Sequence, residues 1–146
     1  MTACTDQIAV VTGASSGVGK AIALGLAAQG ATLCLMGRHR DTLDAVAARA
    51  RGAAQRVLCY QTDLALDDDI QKATECLKRG LGGIDILVHS AGVISLGELA
   101  VTPVEDLDWH YRVNVRPLHT DASPPPHAQT APRSNSVRKL ECRTQC

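Results

Sequence analysis

A doubly wound parallel α/β sheet is the fold class this sequence predicts, and three observations carry the prediction. Over residues 8–116, short unbroken apolar runs alternate with stretches of helical periodicity. The first run passes directly into a glycine-rich turn, Thr12-Gly13-Ala14-Ser15-Ser16-Gly17-Val18-Gly19. The runs are too continuous for a sheet with one wet face, as expected of strands buried on both sides.

The elements follow in order. IAVVTG (8–13) is a strand, and Val18, Ile22 and Leu26 then recur at helical spacing until Gly30 closes the helix. ATLCLMG (31–37) is a second strand, and Asp41 is placed to cap a helix carrying Leu43, Val46, Ala47 and Ala50. RVLCY (56–60) is a third, followed by a helix from about Asp67 with Ile70, Ala73, Thr74 and Leu77, which Gly80 follows. IDILVHSAG (84–92) is a fourth, and a last helix runs from about Pro103 to Val115. Strand–helix alternation implies right-handed crossovers and a Rossmann-type sheet in spatial order 3-2-1-4.

Residues 117–146 obey neither period. All twelve glycines lie at or before Gly97, whereas five of six prolines lie at or after Pro117. The segment holds a Pro-Pro-Pro run and few large apolar groups, so burial cannot offset its ordering entropy, and an irregular, disordered tail is expected. The domain reading is therefore 1–116 nucleotide-binding and 117–146 irregular.

Composition narrows the function. Fifteen Lys+Arg balance fifteen Asp+Glu among 146 residues, which removes the electrostatic case for nucleic acid or a membrane surface as partner. No apolar stretch is long enough to span a membrane, and no basic-then-apolar leader opens the chain, so a cytoplasmic protein is expected. Of six cysteines, Cys34, Cys59 and Cys76 lie in apolar or helical patterns that suit buried thiols. Without a CxxC, and with no His near Cys142 and Cys146 at zinc-finger spacing, no metal is expected.

The glycine turn carries the chemistry. Gly13 permits the tight turn, Gly17 lets a pyrophosphate approach the backbone, and Gly19 permits close packing of helix on strand. Ser15, Ser16 and the backbone of Val18 at the helix start complete an anion cradle. Gly37-Arg38-His39-Arg40 ends the second strand without a carboxylate to repel a ribose 2′-phosphate. Arg38 can meet that phosphate bidentately, which favours NADP(H) over NAD(H). The competing reading leaves Arg38 and Arg40 as solvated loop charges.

The TGxxxGxG spacing resembles the short-chain dehydrogenase/reductase family. Asp63, with Leu64 beside it in TDLA, stands where that family's Asp meets the adenine ring. Ser90-Ala91-Gly92 is similar to its Asn-Ala-Gly, with Ser90 replacing the Asn and His89 before it. Asn114 in YRVNV matches the Asn of the family's catalytic tetrad, which holds a water in the proton relay. The resemblance implies hydride transfer between a nicotinamide and a small carbonyl or alcohol substrate. It also implies a Tyr with a Lys four residues later and an upstream Ser. Here Tyr60 is followed at that offset by Leu64, and Tyr111 by Val115. The chain thus resembles the cofactor half of the family, inactive alone, with the family's usual homo-oligomer not expected. The alternative is a non-catalytic nucleotide-binding or interaction protein.

The tail is compatible with a shifted reading frame. Codons for Arg133–Arg143 can be chosen so that the neighbouring frame reads Gly-Gln-Ile-Val-Phe-Val-Asn-Ser-Ser-Val-Gly, a buried strand ending in the family's serine motif. His119–Gln129 likewise permits an amphipathic helix, because a CCT proline codon moved by one base gives CTN, a leucine codon. A mutation, an alternative splice junction or an error in the nucleotide record would each produce it.

Overall fold

The computed structural model describes residues 3–121. The elements are β1 (Ile8–Thr12), α1 (Gly17–Ala28), β2 (Thr32–Gly37), α2 (Arg40–Ala50), β3 (Arg56–Gln61), α3 (Asp67–Leu81), β4 (Ile86–His89), α4 (Val104–Asn114) and α5 (Arg116–Asp121). The four strands form one parallel sheet in order β3-β2-β1-β4, the order expected from right-handed crossovers and a glycine-rich first turn. Register is continuous across it: Val10 pairs with Cys34 on one side and Leu87 on the other.

Alternation along the strands divides the core into two layers. Ala9, Val11, Leu33 and Leu35 pack with Ala23 and Ala27 of α1 and Leu43, Val46, Ala47 and Ala50 of α2. Val10, Cys34 and Met36 face the other way, against Ala73 and Leu77 of α3. β1 is buried at every residue, which explains its unbroken apolar sequence. Among the described residues β4 pairs with β1 alone, and it is half-buried throughout.

Several boundaries differ from the sequence reading. α1 buries Gly19, Ala23 and Ala27 instead of the Val18-Ile22-Leu26 row, and Val18 is 69% exposed. Small side chains let the helix lie close on the sheet, so the larger row turns to the flank. α2 begins at Arg40 with His39 at the cap, leaving Asp41 in the first turn, where its charge still complements the helix dipole. α3 runs through Gly80, because one further residue places Leu81 against the core. Gly82 instead ends it, in the left-handed conformation at φ 74°, with its N–H on the Lys78 carbonyl. β4 is confined to the four residues that β1 pairs.

α4 stops at Asn114, and Pro117 gives the reason: it has no N–H to continue the ladder. Residues 116–121, however, are helical where irregular chain was expected from 117 onward. A proline fits a first helical turn, Pro117 is buried there, and α5 rests on α3 and α4. Arg116 Nη2 adds an exposed ion pair to Asp67 Oδ2 at 2.7 Å. The remaining tail, including the shifted-frame segments, Cys142 and Cys146, lies outside the described residues.

Candidate functional site

The C-terminal ends of all four strands open into one cleft of about 480 Å³, with β1 at the switch point between β2 and β4. Its lining runs from Arg38, Asp63 and Leu64 at the β2–β3 end, past Gly13, Ser15, Ser16, Gly17 and Val18, to Ser90, Ala91 and Gly92 at the β4 end. Eleven of the thirteen residues singled out in the sequence line the cleft; Gly19 packs behind it against Gly13, and Asn114 on α4 bonds to Val93 of the lining.

The three glycines of the first turn do different work. Gly13 has φ 64°, and a Cβ there would fall 2.7 Å from the Ala91 backbone nitrogen. A Cβ on Gly19 would fall 2.4 Å from the Gly13 carbonyl oxygen, so this glycine packs against the turn itself. Gly17, at φ 53°, has no atom within 4 Å of such a Cβ: its bare backbone faces open space. Ser16 precedes α1 in an extended conformation without a side-chain capping bond, and no acidic residue sits in the first turn. By contrast α2, α3 and α4 each carry carboxylates there. The start of α1 is thus open for an anion, as a diphosphate requires.

The two arginines after β2 separate. Arg40 Nε is 2.9 Å from Asp44 Oδ2 and its Nη1 donates to the Cys59 carbonyl, so it belongs to α2. Arg38 is exposed on the cleft, and among the described residues its guanidinium forms no ion pair. Gln61 Nε2 donates to the Arg38 carbonyl at 3.0 Å and holds the backbone there. Asp63 accepts the Ala65 N–H on Oδ1 at 3.0 Å, which fixes its carboxylate in a tight turn at the cleft edge.

At the β4 end, Thr12 ties two strands together. Its hydroxyl accepts the Ala91 N–H at 3.2 Å and lies 3.1 Å from His89 Nδ1. His89 Nε2 is buried and finds no hydrogen-bond partner among the described residues. Asn114 uses both ends of its amide on one residue: Oδ1 accepts the Val93 N–H at 2.8 Å and Nδ2 donates to the Val93 carbonyl at 2.9 Å. Met36, Thr62, Val93, Trp109 and Val113 also line the cleft and were not picked out from the sequence. The 109/113 pair stands at i, i+4 on α4, which is the signal that would have found it.

Among the described residues, Cys4, Cys34, Cys59 and Cys76 form no disulfide, and no three metal-ligating side chains come together. Burial, then the nearby Asp44 carboxylate, push the Cys59 thiol above its ordinary pKa. Iodoacetamide should therefore modify Cys59 slowly at neutral pH and faster only in more alkaline solution than an ordinary thiol needs. Mass spectrometry of timed samples checks this; alkylation at the rate of an unfolded-chain cysteine would contradict it.

A doubly wound sheet with a glycine-rich turn and an open helix start at its switch point is the arrangement on which dinucleotide-binding folds are built, and the comparisons specify the family. The short chain dehydrogenase model matches residues 7–120, so the chain belongs to the short-chain dehydrogenase family. An uncharacterized oxidoreductase of Staphylococcus aureus (strain MRSA252) is 36% identical over 116 residues, 80% of this chain and 49% of the relative. Among solved structures, L-sorbose reductase from Gluconobacter frateurii, complexed with NADPH and L-sorbose, superposes with TM-score 0.78 at 31% identity. That match covers 83% of this chain and 46% of the reductase. A short-chain dehydrogenase from Burkholderia cenocepacia in complex with NADP gives TM-score 0.74 at 33% identity, over 80% of this chain and 48% of that one. The chain spans about half the length of these relatives. No helix among the described residues is long and apolar enough to cross a membrane.

Proposed function

We propose that this chain forms the cofactor-binding part of an oxidoreductase acting on a small carbonyl or alcohol. We further propose that it takes NADP(H) in preference to NAD(H) and binds the dinucleotide without turning over substrate by itself. The observation that carries the reading is the pairing, in one cleft, of an uncapped α1 N-terminus with Arg38 and no carboxylate at the end of β2. When bound, the nicotinamide supplies the hydride.

The chain's own residues divide the binding. Gly17 and Val18, with Ser15 and Ser16, hold the diphosphate through backbone and hydroxyl donors, while Gly13 and Gly19 keep the turn closed behind them. Arg38 meets the 2′-phosphate, and Asp63 with Leu64 borders the adenine. Because the adenine half lies toward β2 and β3, the nicotinamide half falls at β4, over Ser90, Ala91 and Gly92. Asn114 acts here as a positioning residue, through Val93. The reading of no turnover rests on sequence, since neither Tyr60 nor Tyr111 has a lysine four residues on to lower its pKa.

Calorimetric titration of the 146-residue chain with NADPH and NADH tests the reading. NADPH should bind about tenfold or more tighter, as expected of one charge-assisted bidentate contact. Mixed with NADPH and a panel of aldehydes and ketones, the chain should leave the nicotinamide absorbance unchanged. Equal affinities would overturn the cofactor preference, and consumption of NADPH with any carbonyl would overturn the inactivity.

A further inference from the structure

α4 presents three polar side chains one turn apart, Asp106, His110 and Asn114, and all three bond to the segment that follows the β4 turn. Ser95 Oγ donates to Asp106 Oδ2 at 2.7 Å, and the Ser95 backbone N–H donates to His110 Nε2 at 2.8 Å. One turn on, Asn114 holds Val93 by both amide atoms. The three residues are half-buried, as are Val93 and Ser95. Because the Ser95 hydroxyl is given to Asp106 and the imidazole takes a backbone N–H, this is not a nucleophile-and-base arrangement. It is a row of side chains fastening the 93–95 segment: two acceptors on Ser95, and an amide that both accepts from and donates to Val93. His110 Nε2 accepts here only as a neutral ring protonated on Nδ1.

We infer that Asp106 and His110, acting through Ser95, are positioning residues for the half of the cleft that receives the nicotinamide nucleotide. Residues 93–95 form neither strand nor helix, and β4 ends at His89. The α4 row therefore supplies the fixed points that the sheet does not, and Val93, one of those points, lines the cleft. Arg38 and Asp63 stand at the far end of the sheet, just after β2 and β3, and are held by other bonds. Loosening the row should weaken the hold on the nicotinamide half and spare the adenine half. The inference rests on the dinucleotide reading proposed above.

Two probes separate the halves: NADPH, and adenosine 2′,5′-bisphosphate, which carries the adenine and 2′-phosphate without a nicotinamide. In calorimetry on the whole chain, His110→Phe removes the acceptor and should weaken NADPH binding about tenfold, the scale of one lost buried hydrogen bond. Affinity for adenosine 2′,5′-bisphosphate should stay within about twofold. His110→Gln, whose side-chain oxygen can accept the same N–H, should recover most of the loss. Ser95→Ala, which keeps the backbone N–H, provides a milder variant should His110→Phe fail to fold, and should weaken NADPH alone by about threefold. Equal weakening of both probes would reduce the row to a structural support and overturn the inference, as would no change in either. A wild-type chain that binds neither probe overturns the dinucleotide reading itself, and this inference with it. Binding of adenosine 2′,5′-bisphosphate with unaltered NADPH affinity in both variants overturns the inference alone.

Discussion

Replacing Arg38 by glutamate should invert the cofactor preference. The wild-type guanidinium can meet a 2′-phosphate with two charge-assisted hydrogen bonds, each of the order of 1.5–3 kcal/mol. Arg38→Glu removes those bonds and sets a carboxylate against the phosphate, so NADPH affinity should fall about a hundredfold. The same carboxylate can accept a ribose 2′-hydroxyl, so NADH should bind as well as before or better. Arg38→Lys keeps the charge and loses the fork, and should sit between the two. Arg40→Ala is the control: its partner is Asp44, at 2.9 Å, and the NADPH:NADH ratio should not move. Titration of the four proteins with both nucleotides decides it. An unchanged ratio in Arg38→Glu would remove Arg38 from the site.

The second large effect separates folding from binding within a single turn. Alanine at Gly13 meets a left-handed backbone, at about 1–2 kcal/mol, and Ala91 backbone atoms from 2.7 Å. Alanine at Gly19 meets the Gly13 carbonyl oxygen at 2.4 Å. Neither neighbour is a flexible side chain that can swing away, so each clash adds about 1–3 kcal/mol. Against a total stability of about 5–15 kcal/mol, both variants should show a much lower thermal midpoint. Gly17→Ala shares the unfavourable φ but has open space around the new methyl. It should lose only the backbone term in stability while losing NADPH binding, because the methyl occupies the face a diphosphate must approach. Thermal melts beside calorimetry read both quantities. Wild-type melting by Gly13→Ala, or wild-type binding by Gly17→Ala, would refute this division of labour.

The parts legible in the sequence were those with a strong local signal. β1 and β2 are largely apolar because helices cover both faces, and their order follows from the connection rules together with the glycine-rich first turn. The α2 stripe of Leu43, Val46, Ala47 and Ala50 is buried as read, since its large groups mark the face. The α1 face was misread for the converse reason: glycine and alanine carry little hydrophobic signal, yet they permit the closest approach to the sheet. Gly80 looked like a stop because glycine usually is one, while burial of Leu81 outweighed that tendency. The glycine turn stands out because its glycines meet demands that other residues meet poorly: a left-handed backbone at Gly13 and Gly17, and close packing of Gly19 on the Gly13 carbonyl. The Asp106-His110 row did not, since polar residues at helical spacing read as a solvated face until their partners in the 93–95 segment are known.

The unequal covering of the four strands sets how the molecule breathes. β1 and β2 lie between neighbours and under helices on both faces, so their backbone opens only when the whole layer does. Among the described residues β3 and β4 are the two edge strands, each paired on one side and largely half-buried, so they open before the centre does. The cleft therefore has a stiff middle and two more compliant ends. The glycine turn after β1 rests on the stiff middle and stands ready before any ligand arrives, while the outer lining beside β3 and β4 is supple until something grips it. A ligand that spans the cleft would spend part of its intrinsic affinity quieting those two outer strands, and would stabilise them more than the core between them.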